Sequence, residues 1–288
     1  MAGLPKNRSE DSRNARHFPF FRRPPRASPL SLKGVIGYDS AMSEQEDIDF
    51  ILQKWPFKTG VIAARLIKAS DDREVIQMRV EMGLLQMEVA GRPDGEHPGG
   101  VDNCLEWLQE LARAQSDEFV LNDEQCVEVE REFMQFYQRR ICFLVLRQFA
   151  RALADADYSL ALMDFVAEYS PDQQWTMAHE QYRPFILFHR IQAAAMLSLE
   201  KSGAEAAIET INNGLERLRT VFLKFGADDE QFEQDELVAQ LNVIKESLRE
   251  EYRVGKTLAE QLADAVSAEE YERAARLRDE IAKRRGRP

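Results

Sequence analysis

The segment from Leu258 to Ile281 constrains the fold of this chain more than any other stretch. It reads LAEQLADAVSAEEYERAARLRDEI, and its apolar residues recur at helical spacing in two short runs. The first run is Leu258, Leu262, Ala265 and Val266, and the second is Tyr271, Ala274, Leu277 and Ile281. This periodicity predicts two amphipathic helices joined by a polar turn. Ser267 lies between the runs, and it is the predicted N-cap of the second helix, with Glu269 and Glu270 in its first turn.

Helices this short are marginal alone in water, so we expect both stripes to need a partner surface, in this chain or another. The segment resembles the UVR motif, a helical hairpin of the excision-repair proteins UvrB and UvrC. Similar hairpins occur in Clp-type ATPases and McsA-type adaptors. The resemblance is carried by Leu262, Ala265, Glu270, Tyr271, Ala274, Ala275, Leu277, Arg278, Asp279 and Ile281.

In that family the hairpin is a protein–protein contact, so the resemblance implies a docking role. The candidate partner-binding residues are Leu258, Leu262, Ala265, Val266, Tyr271, Ala274, Ala275, Leu277, Arg278 and Ile281. Tyr271, Leu277 and Ile281 are predicted to share the contact face. The alternative is a plain antiparallel helix pair that closes a helical domain. The expected partner is a protein, either another UVR-bearing protein or a second copy of this chain.

The other signatures of these relatives are absent from the sequence. It contains no G-x-x-x-x-G-K-[ST] loop, which argues against a helicase or Clp ATPase, and no C-x-x-C pair of the kind in McsA zinc sites. The chain as a whole also resembles a group of bacterial proteins, mainly planctomycete, that are named for their UVR motif. That resemblance rests on VIQMRVEMGLLQMEVAGRPDG, LALMDFVAEYSPDQQW and HEQYRPFILFHR, and it implies no particular activity.

Charge is distributed unevenly along the 288 residues. The net charge is −12, and residues 1–41 carry eight basic and three acidic side chains, so the remainder carries −17. An acidic body repels phosphate, so we expect the hairpin to bind protein rather than nucleic acid. Cys104, Cys126 and Cys142 lack metal spacing and are typical of reduced thiols in a cytoplasmic protein. The longest apolar run, 141–146, is too short to span a membrane.

Residues 1–41 mix Arg, Pro and Phe without a period and are predicted to form a disordered basic tail that folding does not require. A nucleic-acid-binding arm and an organellar transit segment are the alternatives, and Met42 is a natural translation start. Residues 42–100 are predicted to hold a helix at 43–57 and a β-hairpin with one buried face, formed by Ile76, Met78, Val80 and Met82. The apolar phase changes at Gly83, which predicts a bulge or tight turn into a third strand.

Residues 101–253 are predicted to form a domain of repeat-like helical hairpins. One helix is expected from Asn122 to Leu153 and another from His179 to Leu199. His179 and His189 would then lie about 15 Å apart on one helix and could not share a metal ion. The sequence contains no H-E-x-x-H or G-x-S-x-G motif, so the chain is expected to have no catalytic site, metal or cofactor.

These observations predict a mainly α protein. A small antiparallel sheet lies near the N-terminus, a bundle of helical hairpins forms the middle, and the UVR-like hairpin occupies residues 256–285. The predicted function is a cytoplasmic adaptor, linked to excision repair or to Clp-type protein quality control. The alternative is an enzyme or regulatory subunit whose ligand site lies beside the β element and the RPDG loop, near Arg79, Arg92 and Asp94.

Overall fold

The computed structural model describes residues 47–115 and 119–285. The predicted tail at 1–41 and the predicted cap at Ser43 lie outside these residues. The strands are β1 Ala63–Lys68, β2 Glu74–Val80 and β3 Gly83–Glu88. The helices are α1 Asp49–Lys54, α2 Cys104–Gln115, α3 Asp123–Val145, α4 Phe149–Glu168, α5 Gln173–Glu180, α6 Arg183–Ser202, α7 Ala204–Lys224, α8 Asp229–Glu233, α9 Glu236–Tyr252, α10 Leu258–Ser267 and α11 Tyr271–Arg285. The mainly α class with one small sheet is confirmed.

The three strands form an antiparallel meander in the order β1-β2-β3. Ile76 lies opposite Met87, and Val80 lies opposite Gly83, so the two-residue turn 81–82 joins β2 to β3. In this register the even-numbered apolar residues of β2 face odd-numbered residues of β3. The change of phase at Gly83 therefore keeps one apolar face continuous, and the predicted tight turn into a third strand is confirmed.

The prediction of one buried face needs correction. Ile76, Met78 and Met87 do pack against the helices, in a cluster that includes Phe143. The opposite face is also covered, because Gln77 and Arg79 are buried and the Trp55 carbonyl accepts a hydrogen bond from Arg79 Nε at 2.8 Å. Met82, which was predicted to belong to the buried stripe, lies in the turn and is 90% exposed.

Two predicted helices are each divided in the structure. The helix expected from Asn122 to Leu153 ends at Val145, where Arg147 adopts a left-handed conformation at φ 56° and the Gln148 amide returns to the Phe143 carbonyl at 2.8 Å. This is a Schellman-type termination with arginine at the position that usually carries glycine. The helix expected from His179 is also divided, because His179 lies in α5 and His189 lies in α6.

Two antiparallel helix pairs, α3 with α4 and α6 with α7, pack on each other through α4 and α6, and α9 packs on α7. The predicted helical hairpins are therefore confirmed. The largest core cluster joins α4, α6, α7, α8 and α9, with Ile191, Ile208, Leu218 and Leu241 among its members. Gly214 lies where α7 meets Ile191 of α6, and a Cβ built there would come within 2.4 Å of Ile191 Cγ1.

Replacing Gly214 by alanine is therefore expected to destabilise the protein, although alanine favours helix by about 1 kcal/mol. The added methyl group would force α6 and α7 apart, and such overpacking costs about 1–3 kcal/mol before that gain is subtracted. Urea unfolding monitored by circular dichroism measures the change. Ala206→Gly on the same helix is the reciprocal control, since it should lose propensity without a steric effect. A Gly214→Ala protein more stable than wild type would contradict the close contact.

Candidate docking site

The first helix of the C-terminal pair begins at a capping box. The Thr257 hydroxyl accepts from the Glu260 amide at 3.3 Å, and Glu260 Oε2 accepts from the Thr257 amide at 2.8 Å. Thr257 is almost fully buried. The first four backbone N–H groups of a helix have no acceptor within the helix. The reciprocal pairing of Thr257 and Glu260 satisfies donors at this end and sets the start of α10. The T-x-x-E spacing of Thr257 and Glu260 is a capping-box signature that is readable from the sequence.

Ser267 is not the cap of the second helix, as was predicted, but the last residue of α10. The chain turns at Glu269, which is left-handed at φ 60°. The Glu270 amide returns to the Ala265 carbonyl at 2.8 Å and the Glu269 amide to the Val266 carbonyl at 3.1 Å, which is again a Schellman pattern. The tight turn places α11 antiparallel to α10.

The inside of the hairpin is built from small and branched apolar side chains. Ala265 is fully buried, Ala274 and Leu277 are nearly so, and Leu258 and Leu262 pack against them. Alanine at two facing positions lets the helix backbones approach closely. Because the two stripes contact each other, the hairpin has its own core.

This packing gives Tyr271, Leu277 and Ile281, the predicted contact face, different exposures, and their role in binding stays a prediction. Leu277 is 9% exposed and faces α10, Ile281 is half-buried, and Tyr271 is 69% exposed. A partner could reach Leu277 only by separating the two helices. The face open to a partner is therefore a different one.

An outward face is formed by Tyr271, Ala275, Arg278 and Ala282, which follow i, i+4, i+7, i+11 spacing and are all exposed. Val266 of α10 is 54% exposed. Each of Val266 and Tyr271 lies about a quarter turn beyond its helix's buried stripe, and in an antiparallel pair these offsets point to the same side. We call these five residues the outward face. It offers one aromatic and one branched side chain beside shallow alanine positions.

The ten predicted partner-binding residues therefore do not all lie on one face of the hairpin. Leu258, Leu262, Ala265, Ala274 and Leu277 hold the hairpin together. Whether any of the ten residues binds a partner stays a prediction. Glu260 was missed altogether, although it is the most highly connected polar side chain of the segment. Burial raises the pKa of Glu260, but the bonds from Arg249, Thr257 and Asn212 outweigh it and hold the pKa below its usual value.

At the alternative site near the RPDG loop, the arginine side chains already form hydrogen bonds and ion pairs with the protein itself. Arg79 donates to the Trp55 and Gly83 carbonyls at 2.8 and 2.7 Å. Arg92 has a 2% exposed side chain and pairs with Asp94 at 3.1 Å and Glu128 at 2.8 Å. These guanidinium groups fasten the turn and the loop to their surroundings.

The described part of the chain provides no arrangement of three or more His, Cys, Asp or Glu residues that could hold a metal ion. Within the same residues, none of the helices has the length and apolar content needed to cross a membrane. Cys104, Cys126 and Cys142 are free and buried. Burial raises the pKa of the Cys126 thiol to about 11 and that of Cys142 to about 12, so both remain protonated at neutral pH.

Comparison with known proteins identifies the same hairpin. Residues 255–284 match the UvrB/uvrC motif, so the chain carries a UVR motif at its C-terminal helix pair. This motif is known in protein–protein interaction and in repair or Clp-related proteins. No curated protein and no solved structure matches the chain.

Proposed function

We propose that this protein is a non-catalytic cytoplasmic adaptor that docks a protein partner through the outward face of its C-terminal hairpin. The observation that supports this most directly is the exposure of Tyr271 and Val266 on a folded UVR hairpin. Exposed aromatic and aliphatic side chains on a rigid element are the usual anchors of helix-mediated interfaces. The proposed partner is another UVR-bearing protein, in excision repair or in Clp-type quality control.

The enzyme alternative receives less support. Its candidate residues Arg79 and Arg92 serve as structural cross-links, as does Arg139, which pairs with Asp155 and donates to the Gly91 carbonyl at 2.8 Å. A group that already donates most of its hydrogen bonds to the protein has little left for a substrate. No observation on these residues favours an enzyme, so the adaptor is the only function proposed.

The combined substitution Tyr271→Ala and Val266→Ala is expected to weaken partner capture by about 30-fold or more, since a single buried anchor contributes about 2 kcal/mol or more. Wild-type and variant proteins serve as baits in native cell extract, with bound proteins quantified by mass spectrometry. The hairpin should stay folded, because neither residue belongs to its interior.

Tyr252→Ala is the matched control, because Tyr252 is an exposed aromatic of α9 outside the hairpin. It should leave capture unchanged. Deletion of residues 256–288 should abolish capture as the double variant does. If the deletion abolishes capture and the double variant does not, docking uses another face. If neither has an effect, the hairpin is only a helix pair that closes the helical domain.

A further inference from the structure

The hairpin and the rest of the protein have separate apolar cores. We call residues 48–252 the body. Val254 still packs against the largest core cluster of the body. The next apolar residues, Leu258 and Leu262, pack instead on Ala265, Ala274 and Leu277. Among the described residues, no apolar side chain of α10 or α11 belongs to a core cluster of the body.

The contacts that hold the hairpin against the body centre on one carboxylate. Glu260 Oε1 accepts from Asn212 Nδ2 of α7 at 3.0 Å and from Arg249 Nη2 of α9. The other oxygen of Glu260 is used in the capping box of α10. Arg249 also donates from Nη1 to the Gly255 carbonyl at 2.6 Å, which fastens the linker. A single side chain thus joins two helices of the body to the hairpin.

A further ion pair across this boundary is weaker. Arg284 of α11 pairs with Glu205 of α7 at 3.3 Å, and both side chains are about half exposed. Such exposed pairs contribute little and are screened by salt. By contrast, Arg249 and Glu260 have side chains only 15% and 21% exposed. The bonds of Glu260 therefore dominate the attachment.

The linker between α9 and α10, residues 253–257, has a backbone conformation that allows the chain to change direction. Arg253 is left-handed at φ 54° where α9 ends, and a Cβ built on Gly255 would meet no neighbouring atom within 4 Å. A cleft of about 420 Å³ lies under the linker, with Arg249, Lys256 and Asp264 on its walls. Reorientation of the hairpin would break these polar contacts, while no apolar side chain of α10 or α11 in the described residues belongs to a core cluster of the body. The interior of the hairpin would stay intact.

We propose that Glu260, Arg249 and Asn212 form a polar latch that holds the hairpin in one orientation, and that its release lets the folded hairpin turn about residues 253–257. A charged partner that competes for Arg249 or Glu260 releases the latch. The outward face then becomes available over a wider range of directions. This last step rests on the proposed docking function, whereas the latch itself does not.

The test measures orientation without any partner. Spin labels are attached to the full chain at Lys201→Cys on α6 and Lys283→Cys on α11, both exposed, while the native cysteines are buried. Electron–electron resonance should give one narrow distance in the parent protein. The added pair Arg249→Gln and Asn212→Ala should replace it by a broad distribution, because it removes both donors that hold Glu260. Glu260 is left in place, so the capping box of α10 is preserved.

Arg273→Gln is the control, since Arg273 pairs with Glu270 inside the hairpin and its loss should keep the narrow distance. Hydrogen exchange should show the amides of α10 and α11 equally protected in the released variant. A narrow distance that persists in the double variant would overturn the latch. Loss of amide protection would overturn reorientation of a folded hairpin. A failure of partner capture would change neither measurement, so the two proposals fail separately.

Discussion

Replacing Glu132 by alanine is expected to destabilise the protein by about 3–5 kcal/mol, the usual cost of removing one member of a buried charged network. The Glu132 side chain is fully buried in α3, and both carboxylate oxygens accept from the Cys104 amide at 3.0 Å. It also accepts from the Tyr158 hydroxyl, and Arg92 Nε lies 3.5 Å away. The carboxylate therefore joins α3, α4, the start of α2 and the RPDG loop.

Alanine at this position would leave the Cys104 amide without its acceptor and the Tyr158 hydroxyl with the long contact to Asn103 Oδ1 at 3.4 Å. The measurement is the free energy of unfolding from urea titration. The Glu132→Gln protein should have a stability between those of wild type and Glu132→Ala, because the glutamine amide oxygen still accepts a hydrogen bond. Glu124→Ala is the control on the same helix, because Glu124 is exposed, and it should change stability by less than about 0.5 kcal/mol. A similar small effect for Glu132→Ala would mean that the network is not a structural cross-link.

The second large effect that we expect is a loss of folding stability at acidic pH, caused by His189. His189 is buried in α6, and Arg140 Nε donates to its Nδ1 at 3.3 Å. Because arginine can only donate, Nδ1 must be the acceptor, and the proton of the neutral ring lies on Nε2. Burial, together with the charge of Arg140, lowers the pKa of His189 to about 3. Protonation of His189 at Nδ1 would break the hydrogen bond from Arg140 and would place a positively charged ring beside that guanidinium group.

The folded pKa lies below the unfolded value of about 6.5, so between these values the unfolded state binds the extra proton. Stability contributed by neutral His189 is fully present above about pH 6.5 and is lost as pH falls towards 3, at about 1.4 kcal/mol per pH unit. We expect unfolding free energies at pH 7, 6 and 5 to show this loss relative to His189→Gln, which cannot titrate. Comparison with the variant removes the effect of Asp155, whose pKa burial raises although the bonds from Arg139 oppose the shift. Parallel pH profiles for the two proteins would refute the assignment.

Local periodicity predicted the elements whose pattern is repeated over several residues. The alternation through Ile76 and Met78 predicted the sheet, and the Leu258 and Leu277 stripes predicted the hairpin. Helix ends were harder to predict. Arg147, Arg253 and Glu269 all adopt left-handed conformations at or beside helix ends. Glycine marks such positions in most sequences, and none of these residues carries that signal, so the ends near Val145 and Ser267 were misplaced.

The sequence by itself determined that this chain forms short strands, paired helices and a C-terminal UVR hairpin, because each depends on neighbours within one or two turns. Only the tertiary structure decided which hairpin residues are open to a partner. Tyr271 and Leu277 look alike in the periodic pattern, yet α10 covers one and leaves the other exposed. The tertiary structure likewise decided that Glu260 meets Arg249 and Asn212, and that Glu132 meets Tyr158. These contacts join residues far apart in sequence, and no local spacing encodes them.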